Sequence, residues 1–193
     1  IILHKKLHKN YTQMPHIPTP PNTAGIRSLF SFRRETAKPM LMLAQILLRG
    51  DSPLTHGERE LIAAFVSSRN KCEFCTRSHS AAAWHLPGNT RALVMAVLEN
   101  PDTAPVSDKM KALLTIASKV QQSGSFVTDD DIALARERGA NDMEIHDTVL
   151  IAAAFCMYNR YVDGLAAETS ADDDEYDLMG KYLAENGYYH GQE

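Results

Sequence analysis

Apolar positions along the chain recur at three- and four-residue steps, and no segment alternates over a run bounded by turn residues. Leu61, Ile62, Phe65 and Val66 form one such face. Thr55 and Glu58 stand three apart just ahead of it as a capping box, so a helix is predicted from there to about Arg69. Asn70 and Lys71 interrupt the pattern. The next helix is predicted from near Cys72 to about Trp84, before Pro87 and Gly88. Upstream, residues 36–49 read as the first long helix, with Thr36 as its cap, Pro39 in its first turn and Gly50 at its end. Residues 25–32 allow one short helical turn. Downstream, Asn89 is expected to cap a helix to about Glu99, and Ser107 one to about Gln122 that Gly124 ends. Thr128 with Asp131 starts another, closed by Gly139, and Asn141 with Glu144 opens the longest, reaching past Tyr161 toward Gly164. The acidic run Asp172 to Glu175 leads a last helix to about Glu185, and the tail from Asn186 to Glu193 is expected to be loose. The fold class is all-α, a multi-helical bundle.

Pro15, Pro18, Pro20 and Pro21 favour extended backbone, so residues 1–24 read as an arm laid along the body or a neighbouring subunit. Residues 25–193 read as one domain. Met14 has the look of a start, which makes residues 1–13 an upstream extension. An internal echo is also present. Leu61-Ile62-Ala63-Ala64 with Asn70-Lys71 is repeated as Leu150-Ile151-Ala152-Ala153 with Asn159-Arg160 at one offset of 89. Either the fold contains a duplication whose first copy alone keeps its thiols, or two Ala-rich helices are alike by chance.

Composition narrows the class. Among 193 residues, 44% are hydrophobic and 23% charged, as in ordinary globular proteins. A net charge of −4 and a pI of about 6.1 offer no basic surface for nucleic acid. The longest apolar stretch, Val149 to Tyr158, is too short to span a bilayer, and Ile1 to Leu3 is too short for a signal peptide. Three cysteines do not build a secreted disulfide framework, so a cytoplasmic protein is expected.

The chemistry concentrates in residues 60–79. On a helix Cys72, Cys75 and His79 share an arc of roughly 60°, one turn apart. A thiol reacts as its thiolate, and an imidazole one turn away can take the proton or stabilise the anion. Glu60, from the preceding helix, can orient the imidazole. Cys72 can then attack an oxidised Cys75. The plainer alternative makes both cysteines inert packing residues, although Lys71, Glu73, Thr76 and Arg77 give them polar neighbours. A third reading is zinc held by Cys72, Cys75, His79 and His85, but on a continuous helix His85 leaves the shared face. Cys156, between Phe155 and Met157, reads as core, and Trp84 as packing or a pocket wall.

The spacing Glu60, Ser67, Cys72, Cys75, His79 resembles the alkylhydroperoxidase D family within the carboxymuconolactone decarboxylase-like superfamily. The likeness is strongest over residues 55–85. It continues more weakly through Gly139 to Leu165, where Asn159-Arg160-Tyr161-Val162-Asp163-Gly164 is similar to the peroxidase-related branch. The resemblance implies an all-helical homo-oligomer and an antioxidant thiol peroxidase or disulfide reductase without cofactor or metal. Cys75 would attack the hydroperoxide and Cys72 resolve it, with Glu60 and His79 as proton relay and Ser67 in support. An external dithiol, such as a lipoyl or thioredoxin-like protein, would reduce the disulfide. One departure is Phe74, where members of the family can carry a second histidine. A redox sensor or binding module using the same dithiol is the alternative function.

Overall fold

The computed structural model describes residues 14–21 and 23–189. The expected extension, residues 1–13, lies outside them. The described residues contain no strand and nine α-helices: α1 (Ile26–Phe32), α2 (Arg34–Arg49), α3 (His56–Arg69), α4 (Glu73–Trp84), α5 (Arg91–Glu99), α6 (Asp108–Gln122), α7 (Asp129–Glu137), α8 (Asp142–Gly164) and α9 (Asp173–Asn186). A 3₁₀ turn, Gly124–Phe126, joins α6 to α7. None of these helices is long and apolar enough to cross a membrane.

Helix α3 is the hub. Every residue from Arg59 to Ser67 is buried, and the helix packs against α2, α4, α5, α6 and α8. A helix apolar around most of its girth must be surrounded. Leu61, Ile62, Phe65 and Val66 are at most 1% exposed within one core shared with α2, α5, α6 and α8. The Thr55–Glu58 capping box is closed in both directions, at 3.1 Å from the Glu58 amide and 2.8 Å from the Thr55 amide. The boxes opening α7 and α8 form as the spacing predicts. A second, smaller apolar cluster gathers Leu29, Cys72, Phe74, Cys75, Val162 and Tyr176 where α1, the start of α4, the end of α8 and α9 meet. The dithiol sits there. Its outer wall is tight: Gly180 of α9 lies so close to α4 that a Cβ would come within 2.4 Å of the Ala81 carbonyl carbon. Only glycine permits that approach.

Helices α3 and α4 are separated by a sharp turn. Lys71 takes a left-handed φ of 62° while the amides of Lys71 and Cys72 donate to the Ser68 and Ser67 carbonyls. That conformation costs a non-glycine residue roughly 1–2 kcal/mol. It is held from below by a reciprocal network. Asn70 Nδ2 donates to Asn159 Oδ1 at 2.7 Å and to Cys156 Sγ at 3.5 Å, while Asn159 Nδ2 donates to Ser67 Oγ at 3.0 Å. Asn70 and Asn159 are 89 residues apart, as are Ser67 and Cys156, so α3 and α8 face each other with like positions in exchange. That arrangement is what a pseudo-twofold duplication produces. Helix α8 continues through the positions at which α3 stops.

Four local expectations shift. Helix α2 begins at Arg34, not Thr36, because α1 feeds into it with only Arg33 between; Thr36 Oγ1 donates back to the Arg33 carbonyl at 2.8 Å instead of capping. Pro39 consequently sits in the helix interior, beyond the first turn. Asn89 is not a cap: its amide ties the Gly57 and Ala83 carbonyls together, and Thr90 caps α5. Ser123 ends α6, and Gly124 opens the 3₁₀ turn. The described part of the tail, residues 186–189, is not loose. It folds back over α2, as the site below requires.

Candidate functional site

A carboxylate taken wholly out of water costs several kcal/mol unless it is paired and hydrogen-bonded. Glu60 is 0% exposed in the second turn of α3, and three parts of the chain supply its partners. Arg49, in the last turn of α2, places Nη2 2.7 Å from Oε1. Tyr188, beyond α9, donates its hydroxyl to the same oxygen at 2.6 Å. His79, in the second turn of α4, brings Nδ1 to 2.8 Å from Oε2 and 3.1 Å from the Tyr188 hydroxyl. With Nδ1–H donating to the carboxylate, Nε2 is the ring nitrogen left to exchange a proton. Two aromatic rings hold the imidazole: Phe155 of α8 edge-on at 4.6 Å and Tyr188 nearly parallel at 5.9 Å. Burial acts to raise the Glu60 carboxyl. The hydrogen bond and charge of His79, the Arg49 guanidinium and the Tyr188 hydroxyl outweigh it and hold the group below the usual carboxylate range. Burial and the facing Glu60 charge push Tyr188 well above an ordinary phenol, so it stays a donor.

The sulfurs stand at the head of α4. Cys72 is the N-cap and Cys75 lies in the first turn, where exposed backbone N–H groups favour an anion. Both are free thiols with Sγ atoms 2.7 Å apart. A disulfide bond of about 2.05 Å is therefore a small movement away. The two are not equivalent. Hydrogen bonding to Cys75, burial and the neighbouring sulfur's charge push the Cys72 thiol far up, so it stays protonated. Cys72 is 0% exposed, whereas Cys75 opens on a cavity of about 60 Å³ lined also by His79, Phe74, Phe155, Tyr158 and Tyr188. That space takes a peroxide group or a few waters, with apolar walls. A larger open depression of about 610 Å³, between residues 23–27 and α9, has no thiol or imidazole on its wall.

The structure thus gathers Glu60, His79, Cys75 and Cys72, and puts Ser67 elsewhere, under the α3–α4 turn on Asn159 and outside the cavity. His85 is also remote from the sulfurs, with Nε2 on Asp177 at 2.8 Å. No group of three or more His, Cys, Asp or Glu among the described residues is arranged to hold a metal. Phe74 packs edge-on to Tyr176 and closes the cavity. Sequence reasoning missed Arg49, Tyr188 and Asp163. Arg49 is signalled only as a cation in the last turn of α2, and Tyr188 by nothing local. Asp163 lies near the end of α8 beside Cys72; partial burial raises its carboxyl and the neighbouring Cys72 thiol lowers it.

The model of the carboxymuconolactone decarboxylase family matches residues 34–119. An uncharacterised peroxidase-related protein from Silicibacter sp. TM1040 is similar in structure, with a TM-score of 0.71, 30% identity, and 79% of this chain and 78% of that one covered. The chain belongs to the alkylhydroperoxidase D/carboxymuconolactone decarboxylase-like superfamily. A second structure, the alkylhydroperoxidase AhpD core of an uncharacterised peroxidase-related protein from Ralstonia eutropha JMP134, matches with a TM-score of 0.73 and 26% identity over 82% of each chain. A protein of unknown function from Agrobacterium tumefaciens, at 20% identity and a TM-score of 0.64 over 78% of this chain and 100% of that one, shares the fold. No curated protein matches significantly. Membership in this superfamily points to peroxidase-related antioxidant chemistry. It also includes decarboxylases, so the geometry of the site must carry the finer reading. The matched segment contains Glu60, both sulfurs and His79, and stops short of Asp163 and Tyr188.

Proposed function

We propose that the protein is a thiol-dependent hydroperoxidase that uses Cys75 as the peroxide-attacking sulfur and Cys72 as the resolving one. The carrying observation is that Cys75 opens on a cavity shared with His79, whose far nitrogen is bound to a fully buried, already neutralised Glu60. His79 takes the Cys75 proton on Nε2. The thiolate attacks the distal peroxide oxygen, the O–O bond breaks, and the departing alkoxide recovers that proton to leave as an alcohol. Cys75 is now a sulfenic acid. The Cys72 thiol attacks it, an S–S bond forms, the S–O bond breaks, and hydroxide leaves with the Cys72 proton as water. An external dithiol, lipoyl or thioredoxin-like, reduces the disulfide and is itself oxidised to one. Phe74 cannot relay protons, so in this chain the relay is His79 and Glu60 alone. Assembly into a homo-oligomer and work in a reducing, cytoplasmic setting belong to the same proposal.

The test is peroxide consumption with cumene hydroperoxide and dihydrolipoamide. Cys75→Ser should abolish turnover, and Cys72→Ser should leave a sulfenic acid that dimedone traps. Turnover that survives Cys75→Ser overturns the assignment. Oxidation of the pair by one equivalent of peroxide, with no cycling in any dithiol, would instead make it a redox switch.

A further inference from the structure

We infer that Tyr188 is a positioning residue of this relay, fixing the Glu60 carboxylate so that only Oε2 faces His79. The inference rests on the hydroperoxidase reading and adds to it a residue outside the segment that matches the family. Three observations carry it. First, Glu60 Oε1 is fully used: Arg49 Nη2 and the Tyr188 hydroxyl both reach it, at 2.7 and 2.6 Å. Oε1 is left with no free acceptor position, and Oε2 has one partner, His79 Nδ1. Second, the hydroxyl bridges base and carboxylate, since it also lies 3.1 Å from Nδ1 while the two rings run within 15° of parallel. Third, the backbone is built to deliver the ring. Gly187 turns the chain off α9 with φ of 77°, a conformation that disfavours any side chain. Gln45 Oε1 of α2 then accepts from both the Tyr188 and Tyr189 amides, at 2.7 and 3.3 Å. The Arg49 guanidinium lies 5.2 Å from the Tyr188 ring centre and completes the clamp.

The consequence is a sign. A hydroxyl that donates to a carboxylate drains its basicity, and so weakens its hold on the imidazole proton. Removing the hydroxyl strengthens that hold and favours the imidazolium–thiolate pair; removing the carboxylate charge does the reverse. The charged and titratable groups facing this centre are Arg49 from α2, His56 and Arg59 from α3, Cys72 at the N-cap of α4, Cys75 and His79 within it, and Tyr158 from α8. Each is retained in the variant below.

The experiment follows alkylation of Cys75 by iodoacetamide against pH in the full chain, read by peptide mass. Tyr188→Phe should move the half-maximal pH down by about half a unit, the fraction of a charged hydrogen bond that the ring nitrogen feels. Tyr189→Phe should leave it in place. Glu60→Gln should move it up. A midpoint that does not move in Tyr188→Phe, or that moves up, overturns the role of Tyr188. If Glu60→Gln shifts upward in that case, the relay stands without the tyrosine; if neither moves, the relay falls with it.

Discussion

Replacing Arg49 by Met removes the guanidinium that neutralises Glu60 while keeping most of the apolar stem. Both side chains are out of water, 6% and 0% exposed, at 2.7 Å. Breaking a buried pair from one side costs about 3–5 kcal/mol, because the remaining charge is left uncompensated. His79 and Tyr188 stay in place, so the lower end applies, about 3 kcal/mol. For a domain of this size each kcal/mol moves Tm by about 2–4 °C, which predicts a fall of about 6–12 °C at neutral pH. The dependence on pH is part of the prediction. In the native protein Glu60 is held below its ordinary 4.5, so it contributes stability above that pH and loses it as pH falls through its lowered folded value. Without Arg49 burial is less opposed, the folded carboxyl moves upward, and that contribution shrinks or reverses. The two proteins therefore differ most at neutral pH and converge in acid, where both carboxyls are protonated. Thermal melts followed by far-UV circular dichroism across that range read this directly. A loss under about 1 kcal/mol at neutral pH, or a gap that widens in acid, would refute the account of Glu60 as a buried anion held by Arg49.

Two further substitutions test the surroundings of the dithiol. Gly180→Ala drives a methyl into the Ala81–Ala82 backbone of α4, so it should cost about 1–3 kcal/mol by urea melt and slow turnover by shifting the head of α4; a neutral result would show that α9 can slide. Asp163→Asn removes a negative charge beside Cys72, one that helps keep that thiol protonated, so disulfide closure after a peroxide pulse should quicken, by no more than about threefold because water still reaches the Asp163 side chain and screens it. Slower closure would make Asp163 the acceptor of the Cys72 proton instead.

The helices and their starts were legible because capping chemistry is local: Thr55 with Glu58, Thr128 with Asp131 and Asn141 with Glu144 each need only residues three apart. Thr36 and Asn89 misled for the same reason. Each is a good cap by type, but Thr36 turns back to the Arg33 carbonyl once α2 has started ahead of it, and Asn89 is drawn to the distant Gly57 carbonyl. Glu60, His79 and the sulfurs could be grouped from spacing, since two adjacent helices bring them together. Ser67 belongs to the same spacing, yet its hydroxyl serves Asn159, a residue of α8 that no local pattern connects to it. Arg49 and Tyr188 reach the site through tertiary contacts 11 and 128 residues from Glu60, which periodicity does not encode.

The corner at Asn70 and Lys71 divides the labour of the two facing rods. Along α8 the chain runs straight through Arg160 and Tyr161, every amide there is spent on the carbonyl a turn behind, and nothing is left over to welcome an anion. By swerving at one lysine, the other rod ends and a fresh one begins, uncovering unspent amides where the two sulfurs stand. Straightening that bend would leave the same side chains on an uninterrupted rod, and Cys75 would lose the open amides that favour its anion.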